Sequence, residues 1–293
     1  MCGIVGLYCK SPELEPRLGR YLSAMLAQMN DRGPDSAGVA VYRDPAPEGF
    51  TKLTLYASDP AFDWSAVGGT VTDVRARHAV VLAEGDAEEA EASVRARFPD
   101  VRVMSAGRTI EIYKEVGLPS RFVQEFRLHE FEGTHGLGHT RMATESRVTT
   151  EGSHPFSTGR DLCLVHNGSL SNHNRLRELL RARGFSFQTE NDTEVAAAYL
   201  TWRRREGDTL AAALESCLVA LDGFYTFLVG TADGFAVLRD PIACKPAILA
   251  ETDEWVAMAS EYRAIAVLPG AADAEIWEPE PTVVYAWEKE LVA

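Results

Sequence analysis

At 293 residues, with 46% apolar and 25% charged side chains, the chain is long enough to bury a sizeable core in one elaborated domain, or in a domain carrying an insert. Asp and Glu outnumber Lys and Arg 43 to 29, a net charge of −14, and the densest basic run, Arg203 to Arg205, is followed at once by Glu206, so a nucleic-acid partner is not expected. Cys2, Cys9, Cys163, Cys217 and Cys244 show neither CxxC nor Cys/His ligand spacing, which argues against a disulfide framework and a metal site, and no cationic start leads into a long apolar stretch. A soluble, cytoplasmic protein with no membrane partner is the expectation.

In chain order, MCGIVGLYC opens with a thiol followed by an apolar strand over 2–8. From Pro16 to Met29 the apolar residues Leu18, Tyr21, Leu22, Met25, Leu26 and Met29 have helical spacing, and after the loop NDRGPDSAG the segment GVAVY predicts a strand. Character then changes over 50–130. There HAVVLAEG, DAEEAEASVRARF and VRVMSAG read as strand, helix and strand, a small inserted β-α-β module. Short apolar strands return in GLGHTRMA, LCLVHNG, YTFLVGTADGFAVLRD and WVAMASE, with helices over 172–183 and 192–205 and a hairpin turn at Asp233-Gly234. Hairpins with helices grouped between them imply an α+β arrangement of antiparallel sheets under helices, and neither GxGxxG nor GxxxxGK[ST] marks a nucleotide site.

The chemistry starts at Cys2. If Met1 is removed, one residue carries a thiol and a free α-amine, whose ordinary pKa of roughly 7.7–8 lets it take the thiol proton near neutral pH. An acyl-transfer nucleophile also needs fixed donors where negative charge develops. In VHNGSLSN, Asn167 offers a side-chain N–H and Gly168 a backbone N–H; alone, Asn-Gly is equally an ordinary turn. An amino-acid head group calls for a guanidinium and a carboxylate, for which HTRMATES supplies Arg141 and ENDTE supplies Asp192, the latter equally a helix N-cap. Arg32 and Asp35 in the DRGPDSAG loop read most simply as a surface ion pair.

Taken together these segments carry a resemblance. Cys2-Gly3-Ile4, Arg32-Gly33-Pro34-Asp35, His139-Thr140-Arg141, His154-Pro155, His166-Asn167-Gly168 with Asn172, Asn191-Asp192-Thr193-Glu194, Arg239-Asp240-Pro241 with Lys245-Pro246, and Ala259-Ser260-Glu261 follow the order found in class II glutamine amidotransferases, which are N-terminal nucleophile hydrolases. The resemblance implies a four-layer αββα sandwich over 2–293, interrupted by the α/β module at 50–130. It further implies Cys2 as nucleophile, Asn167 and Gly168 as the oxyanion hole, and Arg141, Asp192 and Thr144 around the amino-acid substrate, with no metal. RDPIACKP and ASE read as sheet and turn structure without a chemical role. Three positions depart from the pattern: Met142 and Glu145 in Met142-Ala143-Thr144-Glu145, where the sugar- and nucleotide-precursor amidotransferases usually carry Trp-Ala-Thr-His, and Ala243, which replaces a glycine.

Among such proteins the motif set resembles the amidotransferase-like subunit of glutamate-synthase-type complexes, in particular N-methylglutamate synthase. That implies synthase-type partner subunits and no cofactor in this chain; FMN and, as a further candidate, an iron–sulfur cluster are expected in a partner. The alternatives are a stand-alone γ-glutamyl amide hydrolase and a non-catalytic amino-acid-binding scaffold subunit.

Overall fold

The computed structural model describes residues 2–143 and 147–289. Sixteen strands and seven α-helices occur among these residues. In chain order they are β1 (Gly3–Cys9), α1 (Leu18–Gln28), β2 (Ser36–Tyr42), β3 (Phe50–Ala57), β4 (Thr70–Arg75), β5 (His78–Glu84), α2 (Ala87–Arg97), β6 (Val101–Gly107), β7 (Ile110–Val116) and α3 (Pro119–Glu125). There follow β8 (His135–Arg141), β9 (Phe156–Gly159), β10 (Leu162–Leu170), α4 (His173–Arg181), α5 (Asp192–Arg205), α6 (Leu210–Ala220), β11 (Gly223–Gly230), β12 (Gly234–Arg239), β13 (Ile248–Glu251), β14 (Trp255–Ala259), α7 (Tyr262–Ile265), β15 (Glu275–Trp277) and β16 (Val284–Glu288).

Strand alternation explains the layering. Along β1, Val5, Leu7 and Cys9 point into a core shared with Leu18, Leu22, Met25 and Leu26 of α1, whereas Ile4 and Tyr8 point into a second core with Val165, Leu228, Phe235 and Val237. A strand buried on both faces is apolar throughout, which is why GIVGLYC lacks a polar alternate. β1 lies inside a seven-stranded sheet of order β15-β13-β14-β1-β8-β2-β7, stacked on a five-stranded sheet of order β16-β12-β11-β10-β9. The outer face of the second sheet buries Leu164, Phe227, Val229 and Leu238 against α4, α5 and α6. The result is helix, sheet, sheet, helix: the four-layer αββα sandwich. The β11–β12 hairpin turns at Asp233-Gly234 as expected, with Thr231 N–H donating to Gly234 O at 2.9 Å.

Residues 50–130 divide differently from the expected β-α-β module. The separate sheet spans only Phe50–Gly107 and has four antiparallel strands, β4-β5-β3-β6, with α2 on its core of Leu53, Leu55, Val81, Ala90 and Val94. β3 hides its polar residues, with Lys52 bonded to Glu111 at 2.9 Å, and β4 alternates exposed with half-buried positions, so neither gives a plain apolar run. β7 pairs with β2 and α3 packs under the main sheet, so both belong to the sandwich. Asp161 pins this exit, its carboxylate accepting the N–H groups of Arg108, Thr109 and Ile110 at 2.8–3.1 Å. Helix α6 also goes unread in the sequence because LAAALESCLVA is apolar on nearly every side; Thr209 caps it.

Two clefts of similar size open on the molecule. One, of about 690 Å³, is lined by Cys2, Arg141, Asn167, Gly168 and Asp192. The other, of about 680 Å³, lies between α2 and the helical layer, lined by Arg95, Arg160, Arg204, Arg205 and several carboxylates. No described helix is long and apolar enough to cross a membrane.

Candidate active site

The first cleft forms where the two sheets meet at the start of β1. Pairing of β1 with β8 sets Gly3 beside Thr140 and carries Cys2 alongside Arg141 and Met142. The half-buried Cys2 thiol receives the Met142 N–H at 3.5 Å and faces Met142 O at 3.7 Å. Arg32 is not paired with Asp35 as expected. Its Nε donates to Cys2 O at 3.0 Å and its Nη1 to Glu261 at 2.6 Å, while Asp35 accepts the Ala143 N–H at 2.8 Å. Glu261 is held below the ordinary carboxylate range mainly by its bond from Arg32.

Asn167 and Gly168 sit on β10, which crosses beneath Cys2. Asn167 Nδ2 donates to Cys2 O at 3.3 Å and to Ser260 Oγ at 3.1 Å, and the same hydroxyl accepts the Ile4 N–H at 2.9 Å. The amide is oriented from its other end by His139, whose Nε2 meets Asn167 Oδ1 at 3.2 Å and His166 O at 3.1 Å. Two acceptors at one ring nitrogen assign the proton to Nε2 and the nitrogen side of the amide to Cys2. Gly168 has φ +148, and a Cβ there would lie 1.9 Å from Phe224 O, so only glycine fits.

Beneath them lies a buried histidine node. His154 Nε2 and His166 Nδ1 bond to Thr193 Oγ1 at 2.8 and 3.0 Å, and His154 stacks on His139 with centroids 4.0 Å apart. Burial drives all three rings toward the neutral form: His139 is pushed down to about 3, His154 well below its ordinary value, and His166 down.

Arg141 is buried, donating through Nη1 to Gly152 O at 3.2 Å and Arg147 O at 3.4 Å. Asp192 is the first residue of α5, and the N-cap is Asn191, whose Oδ1 accepts the Thr193 N–H at 2.9 Å. Freed from capping, Asp192 takes the Leu170 N–H at 2.9 Å and borders the cleft. The structure thus gathers Cys2, Arg141, Asn167, Gly168 and Asp192; Thr144 lies outside the described residues. It adds Arg32, which the sequence places in a surface ion pair, and side chains the sequence leaves unassigned, namely His154, His166, Thr193 and Lys245 on the cleft wall and His139 and Ser260 behind Asn167. The RDPIACKP and ASE segments therefore border the site, through Lys245 and Ser260. Ala243, where the pattern carries glycine, has φ +50, a left-handed conformation that costs a non-glycine residue about 1 kcal/mol, and Arg239 braces it through Ala243 O and Lys245 O.

The model of the glutamine amidotransferase domain matches residues 139–267. A glutamine amidotransferase-like protein of Rhizobium meliloti, GlxB, is 54% identical over the full length of both chains. The chain belongs to the glutamine amidotransferase family. A putative glutamine amidotransferase of Methanothermobacter thermautotrophicus is 29% identical over 97% of this chain and 99% of its own. Among solved structures, glutamine phosphoribosylpyrophosphate amidotransferase from B. subtilis superposes with a TM-score of 0.63 at 21% identity, covering 98% of this chain and 49% of that one. That likeness concerns the amidotransferase fold.

Proposed function

We propose that this amidotransferase is the glutaminase subunit of a glutamate-synthase-type complex, of the N-methylglutamate synthase kind, and passes ammonia to a partner subunit. The observation that carries the glutaminase reading is the cleft itself: a thiol on a main-chain N–H, an amide N–H fixed on the same residue, and a buried guanidinium and a carboxylate among its lining groups. The motif set HTRMATES, HPF, VHNGSLSN and ENDTE supports the choice of complex.

In this reading Arg141 takes the α-carboxylate of glutamine and Asp192 its α-ammonium, leaving the side-chain amide over Cys2. The free α-amine of Cys2 removes the thiol proton, the sulfur attacks the amide carbon, and the oxygen gains the charge that Asn167 and Gly168 stabilise. Collapse breaks the C–N bond, the protonated amine gives its proton to the leaving nitrogen, and ammonia departs. Water then attacks the thioester, regenerating the thiol and releasing glutamate.

The test is glutamine-dependent turnover of the native complex with wild-type and Cys2→Ala subunits, alongside the mass of the N-terminus. Loss of at least about a thousandfold is expected from removing the nucleophile, with Met1 absent from the active protein. Unchanged turnover would overturn the reading. Steady hydrolysis by a chain with no stable partner would favour a stand-alone γ-glutamyl hydrolase, and retained Met1 in an assembled complex a scaffold.

A further inference from the structure

The segment 147–155 supplies the floor of the Arg141 pocket. Gly152 O accepts from Arg141 and, at 3.2 Å, from Asn191 Nδ2, and His154 from the same segment enters the Thr193 node. The segment approaches the main sheet over Gly38, where a Cβ would stand 2.2 Å from His154 O.

A single side chain gathers its carbonyls. Lys114, on β7 and 3% exposed, donates through Nζ to Glu151 O at 3.0 Å, Ser153 O at 2.9 Å and Pro155 O at 3.1 Å, and lies 4.4 Å from the Phe156 ring centroid. An ammonium has three N–H groups, and here each meets a main-chain oxygen. Three carbonyl dipoles converging on one point repel one another unless a cation stands between them. A neutral amine has only two N–H groups and turns a lone pair toward the third oxygen. The strand that bears Lys114 is also the one by which the chain leaves the four-stranded sheet, tied at its start by Asp161.

We propose that Lys114 is a positioning residue for Arg141: its ammonium clamps the 147–155 segment so that the Gly152 and Arg147 carbonyls aim the guanidinium at the substrate carboxylate. The inference rests on the reading of Arg141 given above. Desolvation brings the lysine down to about 8, opposed by Glu194 on α5 and by Glu151; the imidazoles facing it, His154 and His78, are kept neutral by burial. Affinity for the amino acid therefore falls as pH rises past about 8, when the third donor is lost.

The experiment measures L-glutamine binding by calorimetry in the full-length Cys2→Ala chain, which cannot turn substrate over. Lys114→Met raises Kd about tenfold or more, the scale of one lost charged hydrogen bond, and Lys114→Arg, which stays charged, largely restores it. Between pH 7 and 9.5 the protein with Lys114 loses affinity more steeply than the Lys114→Arg protein; this second measurement decides the matter if Lys114→Met does not fold. Arg141→Lys separates the two levels of the argument. If it leaves Kd unchanged, or if no glutamine binds, the reading of Arg141 is wrong. If Arg141→Lys weakens binding while Lys114→Met does not, or the two pH profiles coincide, the assignment of Lys114 alone is overturned.

Discussion

The two clefts have nearly the same volume and opposite construction. In the cleft at Cys2 the lining side chains rest on buried partners through neutral hydrogen bonds: Asn167, at 3% exposure, on His139 at 1%, and His154 and His166 on Thr193 at 0%. In the second cleft the arginines that reach over the opening sit on long side chains near the surface and pair with carboxylates of α2, Arg205 with Glu88 at 2.6 Å and Arg95 with Glu91 at 3.0 Å, while the buried carboxylates of Asp161 and Glu194 are taken up by main-chain N–H groups. Size therefore does not distinguish a site here. Buried, geometrically fixed polar atoms do, because a reacting group must be held before substrate arrives.

Acid attacks the first construction and salt the second. An unfolded histidine takes a proton near pH 6.5, whereas folded His139, His135 and His78 do so only near 3. Below pH 6.5 the unfolded state thus binds more protons than the folded one, and stability falls as pH falls. Thermal melts should show the largest effect of all, with the midpoint dropping steadily from pH 6.5 to 4 and glutamine binding lost alongside; a flat midpoint would contradict the neutral-histidine node. Next in size, if Asn167 serves the oxyanion as proposed, Asn167→Ala should lower kcat about 100- to 1,000-fold, with a smaller change in KM. Smallest is Arg205→Ala in the second cleft, worth at most about 1 kcal/mol as an exposed pair and less in 1 M NaCl, read as a shift of a few degrees at most in the melting midpoint. A large loss of turnover there would show that the second cleft takes part in function.

Much of the cleft is legible because its residues lie in short motifs that follow one another in a recognisable order. Taken singly, the glycine after Asn167 reads as a turn and the acidic residue opening α5 as a cap; only the ordered set, with the arginine ending β8, picks them out. What stays hidden depends on long-range pairing. Ser260 meets Asn167 only because β14 and β10 converge on the start of β1, and Glu261 reaches Arg32 across 229 positions of chain. Arg32 and Asp35 sit close in sequence, which favours pairing them, yet burial sends each to another partner. Within 50–107 the hidden strands are those whose polar residues turn inward or alternate, so that composition reports loops.

The place of β1 also bears on how the protein is made. Its two neighbours in the sheet are β8, at 135–141, and β14, at 255–259. A ribosome adding residues at about 5–20 per second needs on the order of tens of seconds to pass from β1 to β14. Until then one edge of β1 has no strand to pair with, and the segment that bears the thiol is among the last to be sealed into the sheet.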